Sequence, residues 1–137
     1  MRKIKYIAVH CTASRQTWTV ADLEREFKRK GWQNPGYHYV ITADGKIHMM
    51  LSPDKVSNGV QGYNYCTVNV AYVGGINPQN VKEAVDNRTD AQKKSLINLL
   101  KRLRQMFPNA IIQGHRDFPK VAKACPCFDA KEEYSDI

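Results

Sequence analysis

The sequence has no long apolar run. Near its amino terminus the uninterrupted apolar stretch extends only from Tyr6 to Val9 and stops at His10. That is too short for the apolar region of a secretion signal. Nothing elsewhere approaches the roughly 20 apolar residues of a membrane-spanning helix. The expectation is a protein made in the cytoplasm and not inserted into a membrane. If it acts outside the cell, another system must release or export it. Internal repeats and low-complexity tracts are also absent, which excludes solenoid architectures. Cysteine is sparse: Cys11, Cys66, Cys125 and Cys127. Their spacing fits neither a zinc ribbon nor the disulfide framework of a small secreted scaffold. Disulfides are disfavoured in a reducing compartment, so Cys11 and Cys66 read as small buried hydrophobes.

Negative charge is scarce. Only 13 Asp and Glu stand against 21 Lys and Arg, a formal net charge of +8. Such a balance favours anionic partners: nucleic acid, a membrane surface or an anionic wall polymer. The basic residues are spread along the whole chain and mix with acids in the first predicted helix. No basic stripe alternates with aromatics in the way single-stranded nucleic-acid binders require, so a nucleic-acid partner is not expected.

What the chain does have is an ordinary globular composition. Its 137 residues, 42% apolar and 25% charged, suit one domain over residues 1–137 with its own core. Ile4 to His10 reads as a central strand with apolar character on both faces. Thr19 can cap a helix running to about Lys30, with Val20, Leu23 and Phe27 on one face and Gly31 at its end. Tyr37 to Ile41 and Ile47 to Leu51 form a hairpin around Ala43-Asp44-Gly45. A long irregular stretch, Ser52 to Tyr65, has the character of a functional loop. Val68 to Val73 is a further strand, ended by Gly74-Gly75, and Asn77 to Arg88 reads as loop. Thr89 and Gln92 make a capping box for the clearest helix, whose stripe runs through Leu96, Leu99, Leu100, Leu103 and Phe107 to a stop at Pro108. Ala110 to Gln113 is a short buried strand, and Asp129 to Tyr134 a terminal helix. The order implies an α/β fold: a single mixed sheet of about five strands, flanked by helices.

His10 follows the first strand and His115 the last. If those strands lie parallel and adjacent, both histidines emerge at one edge, beyond the carboxyl ends of the strands where ligand sites of open α/β sheets gather. A thiolate from Cys125, with Cys127 two residues on as the competing candidate, would complete three ligands and leave a fourth position open, the pattern of a catalytic rather than a structural zinc site. Lys123 stands two residues before Cys125, so in an extended segment the two share a face; a cation there can stabilise an oxyanion. Tyr37 can donate a hydrogen bond to water or to a substrate carbonyl. His38 and His48, inside strands rather than at their ends, read as structural.

Four segments together resemble the type 2 N-acetylmuramoyl-L-alanine amidases, a zinc amidase family that includes short phage amidases and the peptidoglycan recognition proteins. They are Ile7-Ala-Val-His-Cys-Thr-Ala-Ser14; Gly31-Trp-Gln-Asn-Pro-Gly-Tyr-His-Tyr-Val-Ile41; Gly62-Tyr-Asn64 with Val73-Gly-Gly-Ile76; and Gly114-His115 with Lys123-Ala-Cys-Pro-Cys-Phe-Asp129. The likeness runs in order from about Ile4 to Asp129. It implies Zn2+ held by His10, His115 and Cys125, Cys125 being preferred because the matching motif reads Lys-Ala-Cys-Pro. It implies Tyr37 and Lys123 as catalytic residues, a structural His38, and hydrolysis of the lactyl–L-alanine amide of peptidoglycan; a monomer is expected. It also admits two alternatives: a peptidoglycan-binding module that does not cut, and an amidase that additionally inhibits a protein partner such as an RNA polymerase. One departure stands out. Similar phage enzymes often carry a histidine between Ser57 and Gly62, where this chain has Asn58-Gly-Val-Gln61.

Overall fold

The computed structural model describes residues 2–137. Its centre is β1 (Tyr6–Cys11), buried from Ile7 to Cys11. Both faces of this strand are covered, so its side chains are apolar in succession rather than alternating with polar ones. β1 pairs in parallel with β4 (Thr67–Tyr72) on one side and β7 (Ile111–Gly114) on the other. β2 (Tyr39–Ile41) extends the sheet in parallel with β4, and β3 (Ile47–Met49) closes it antiparallel to β2. The order is β3-β2-β4-β1-β7, a five-stranded mixed sheet.

Alternation along the strands gives the sheet two distinct faces. Ile7, Val9, Val68, Val70, Ile41 and Ile112 point toward α2 (Asp90–Met106), which lays Leu96, Leu99, Leu100 and Leu103 against them. On the opposite face, Val40 packs with Leu23 and Phe27 of α1 (Val20–Arg29), and Ala8 packs with Val60 and Phe118. His10 and Asn69 share this second face with Ala8 by the same alternation.

Both long helices start with reciprocal caps. In α1 the Thr19 hydroxyl accepts from the Asp22 N–H, and the Asp22 carboxylate accepts from the Thr19 N–H. In α2 Gln92 does more than close the box with Thr89. Its buried side-chain amide also donates to the carbonyls of Ile41 and Val73, at 3.0 Å each, tying the helix start to two strand ends.

The carboxyl-terminal segment returns across the ends of β1 and β7. Gly114 permits this: a Cβ there would stand 2.7 Å from Pro126 Cδ. Downstream, α3 (Ala130–Glu133) is fixed by Arg88. The Arg88 guanidinium lies 3.4 Å from the centre of the Phe128 ring and bridges Asp86 and Glu133.

Three details differ from the sequence reading. β1 starts at Tyr6 and runs one residue past His10, to Cys11, rather than from Ile4 to His10. His38 stands one residue ahead of β2. The stretch read as a loop from Asn77 contains a two-stranded ribbon, β5 (Ile76–Asn77) and β6 (Asn80–Ala84). Every β6 residue is exposed, so that strand carries no alternation of apolar and polar residues to betray it.

Candidate functional site

The parallel pairing of β1 and β7 places Val9 opposite Gly114, so His10 and His115, the next residue of each segment, stand side by side. Their rings are 4.8 Å apart between centroids. The returning segment brings Cys125 over them: its Sγ lies 3.9 Å from His10 Nδ1 and accepts from the Cys11 N–H at 3.2 Å. One ligand atom from each of His10, His115 and Cys125 falls within 4.8 Å of the other two. The three residues sit together on the floor of a cleft of about 800 Å³, whose walls carry Trp32, Tyr63, Lys120 and Lys123. Cys127, the competing thiol, turns aside; its Sγ lies 3.8 Å from Cys11 Sγ and 3.5 Å from the Gly75 carbonyl oxygen.

The chemistry of this donor set fits zinc. Tetrahedral zinc, with bonds of about 2.0–2.3 Å, holds neighbouring ligand atoms roughly 3.5 Å apart. The 3.9 Å between His10 and Cys125 is already close to that. Both imidazoles are held neutral, the form that binds metal. Burial lowers His10 to about 4, against the Asn69 hydrogen bond and with the Lys123 charge adding to the effect. Burial likewise lowers His115 to about 3, helped by His10 and Lys123. The Cys11 thiol, hydrogen-bonded beside Cys125, is pushed up to about 12 and stays protonated.

Tyr37 stands against the cluster, its ring 5.2 Å from that of His10 and its hydroxyl 3.4 Å from the Cys11 carbonyl oxygen. Phe27 meets it edge-on and Trp32 stacks on Phe27, so α1 and the following turn set its position. Burial raises the phenol well above its usual range, which keeps it a donor. Lys123 is exposed on the cleft wall. The five residues singled out in the sequence therefore line one cleft. His48 does not join them: it hydrogen-bonds Thr42 in the hairpin.

Two residues beneath the cleft escaped sequence reasoning. Asn69, fully buried in β4, accepts from His10 Nε2 at 2.8 Å and donates to Ser57 Oγ at 2.7 Å. Ser57 in turn lies 3.1 Å from His38 Nδ1. The available signal was an asparagine inside the apolar strand Val68-Asn-Val-Ala-Tyr72, since a buried amide requires partners.

Comparison with known proteins gives the family and agrees with the fold. The family model described as N-acetylmuramoyl-L-alanine amidase matches residues 1–128. The endolysin of Klebsiella phage KP32 is 38% identical over 127 residues, covering 91% of this chain and 82% of that protein. The endolysin of Escherichia phage T7 is 35% identical over the same extent of each chain. Among solved structures, the N-acetylmuramoyl-L-alanine amidase LysC from Clostridium intestinale superimposes with a TM-score of 0.80 at 25% identity, covering 97% of this chain and 83% of that one. Bumblebee PGRP-SA shares the fold, with a TM-score of 0.74 at 15% identity, over 99% of this chain and 83% of its own. The chain belongs to the N-acetylmuramoyl-L-alanine amidase family.

Proposed function

We propose that the protein is a zinc-dependent N-acetylmuramoyl-L-alanine amidase that cuts the amide between the lactyl group of N-acetylmuramic acid and L-alanine in peptidoglycan. Family membership and the phage endolysin relatives support the amidase activity. The observation that carries the zinc assignment is the convergence of His10, His115 and Cys125 at the cleft floor. Those three residues would hold the ion. Bound there, zinc supplies Lewis acidity, lowering the pKa of water toward neutrality and polarising a carbonyl.

The chain's own residues do the rest. Tyr37, kept protonated by burial, donates a hydrogen bond that orients the water or the lactyl carbonyl. Lys123 brings a positive charge to the cleft wall, where it stabilises the negative charge developing on the carbonyl oxygen as water adds. The carbon–nitrogen bond then breaks: the oxygen of water stays on the lactyl carboxylate, and a proton passes to the leaving amine of L-alanine. The net charge of +8 supports adhesion to an anionic cell wall. Among the described residues, no helix is long and apolar enough to cross a membrane.

The test is zinc stoichiometry on the purified protein combined with mass spectrometry of digested peptidoglycan. One zinc per chain and freed stem peptides beginning with L-alanine are expected. Bound zinc without freed peptides would instead mark a non-cutting peptidoglycan binder.

A further inference from the structure

A histidine ligand binds metal through one ring nitrogen only if its proton sits on the other, so whatever fixes that proton fixes the ligand. In His10 the nitrogen facing Cys125 is Nδ1. Nε2 points the other way, down into the protein, onto Asn69 Oδ1 at 2.8 Å. An amide can present either its oxygen or its NH2 to such a neighbour, and the two choices select opposite tautomers. The oxygen requires Nε2–H and leaves the Nδ1 lone pair toward the thiol. The NH2 would require a proton on Nδ1 and block the ligand atom.

The surroundings of Asn69 settle this choice. Its NH2 donates to Ser57 Oγ at 2.7 Å, so the serine proton is directed to His38 Nδ1, 3.1 Å away. His38 Nδ1 must be an acceptor, because the Asn69 backbone N–H also donates to it at 2.9 Å. That puts the His38 proton on Nε2, which donates to the Lys55 carbonyl at 2.7 Å. From one fixed backbone carbonyl the donor sense runs without a break through His38, Ser57 and Asn69 to His10. His38, Ser57, Asn69 and His10 are each at most 1% exposed, so water cannot replace any link.

The loop over this chain of bonds is shaped around the amide. A Cβ at Gly59 would stand 2.3 Å from both Cγ and Oδ1 of Asn69. Residue 59 lies in the stretch where the family resemblance leads one to expect a histidine. Here the space above that glycine is filled from below, by a side chain of the sheet.

We propose that Asn69 is a positioning residue for the metal centre: held by Ser57 and His38, its carboxamide fixes His10 as the Nε2–H tautomer and so presents Nδ1 as the ligand. This rests on His10 being a metal ligand, as assigned above. The experiment uses the full chain with zinc alone, so no turnover is needed. Nitrogen-15 NMR of the imidazoles in the zinc-free protein reads the tautomer directly, and competition with a chelator reads zinc affinity.

The wild-type protein is expected to hold His10 with its proton on Nε2; a proton on Nδ1 overturns the proposal even if no variant folds. Asn69→Leu is expected to mix the two tautomers and weaken zinc binding about 10- to 100-fold. Asn69→Asp, which still accepts from Nε2–H, is expected to restore the single tautomer. An Asn69→Leu protein that keeps both the tautomer and zinc affinity within twofold of wild type sinks the idea. His10→Ala separates the two claims. If it leaves zinc affinity intact, the ligand assignment itself has failed; if it abolishes binding while Asn69→Leu does not, only the positioning role has.

Discussion

At the scale of single residues, the proposed function assigns His10, His115 and Cys125 to holding a metal, and Tyr37 and Lys123 to acting on substrate. Cys125→Ser exchanges a soft thiolate for a hydroxyl, and bound zinc is expected to fall well below one per chain by atomic absorption. Lys123→Ala should behave differently: turnover of muropeptides is expected to drop at least ~100-fold while zinc stays at wild-type stoichiometry. Loss of zinc along with activity would contradict the role given to Lys123. Tyr37→Phe keeps the ring against His10 and removes only the hydroxyl, so it too should slow turnover, by about 100-fold, without releasing metal. Cys125 was a candidate in the sequence as a thiol able to join His10 and His115, whereas Tyr37 and Lys123 stood out chiefly through the family resemblance, since alone a strand tyrosine reads as packing and a lysine as surface. Asn69 and Ser57 were not legible. Their role lies in bonds across 59 and 12 residues of chain, and nothing in local spacing reports such partners.

At the scale of elements, the sheet and its two long helices followed from periodicity and caps. The α2 stripe and its Thr89–Gln92 box appear where the pattern placed them. Leu99→Ala, at a site 2% exposed, is expected to cost about 2–5 kcal/mol in urea unfolding of the zinc-free protein. The β5–β6 ribbon was missed because β5 is two half-buried residues long and β6 is exposed throughout, so neither carries an apolar alternation. The carboxyl-terminal turn α3 was anticipated, but its anchoring was not. Arg88 reads in the sequence as one more basic residue of a basic chain; in the fold it is buried between two carboxylates and the Phe128 ring. That anchor secures the segment just beyond Cys125, so part of the site's geometry is set from outside the cleft.

At the scale of the whole molecule, two bulk properties have measurable consequences. His38 is fully buried and its imidazole is lowered to about 4, chiefly by burial. Its folded value lies below the ordinary 6.5 of an unfolded chain, so the unfolded state binds more protons between those limits. Stability is therefore expected to hold above about pH 6.5 and to fall, by on the order of 2–3 kcal/mol from this group, as pH drops toward 4. Urea titrations across that window check it, and a flat profile would contradict the burial of a neutral ring. The second property is the net charge of +8. Sedimentation with purified cell walls should weaken as salt rises from 0.05 to about 0.5 M; binding indifferent to salt would remove charge as the source of wall affinity.

The parallel seam between β1 and β7 also bears on timing. His10 and Cys125 are separated by 115 positions along the chain. Neighbouring strands in such a seam cannot register until the later one exists, and contacts this distant in sequence form slowly. A chain that still lacks the later strand therefore cannot bring His10, His115 and Cys125 together. The three meet only once the whole β1–β7 seam has closed, so their convergence is a late event of folding rather than a local one.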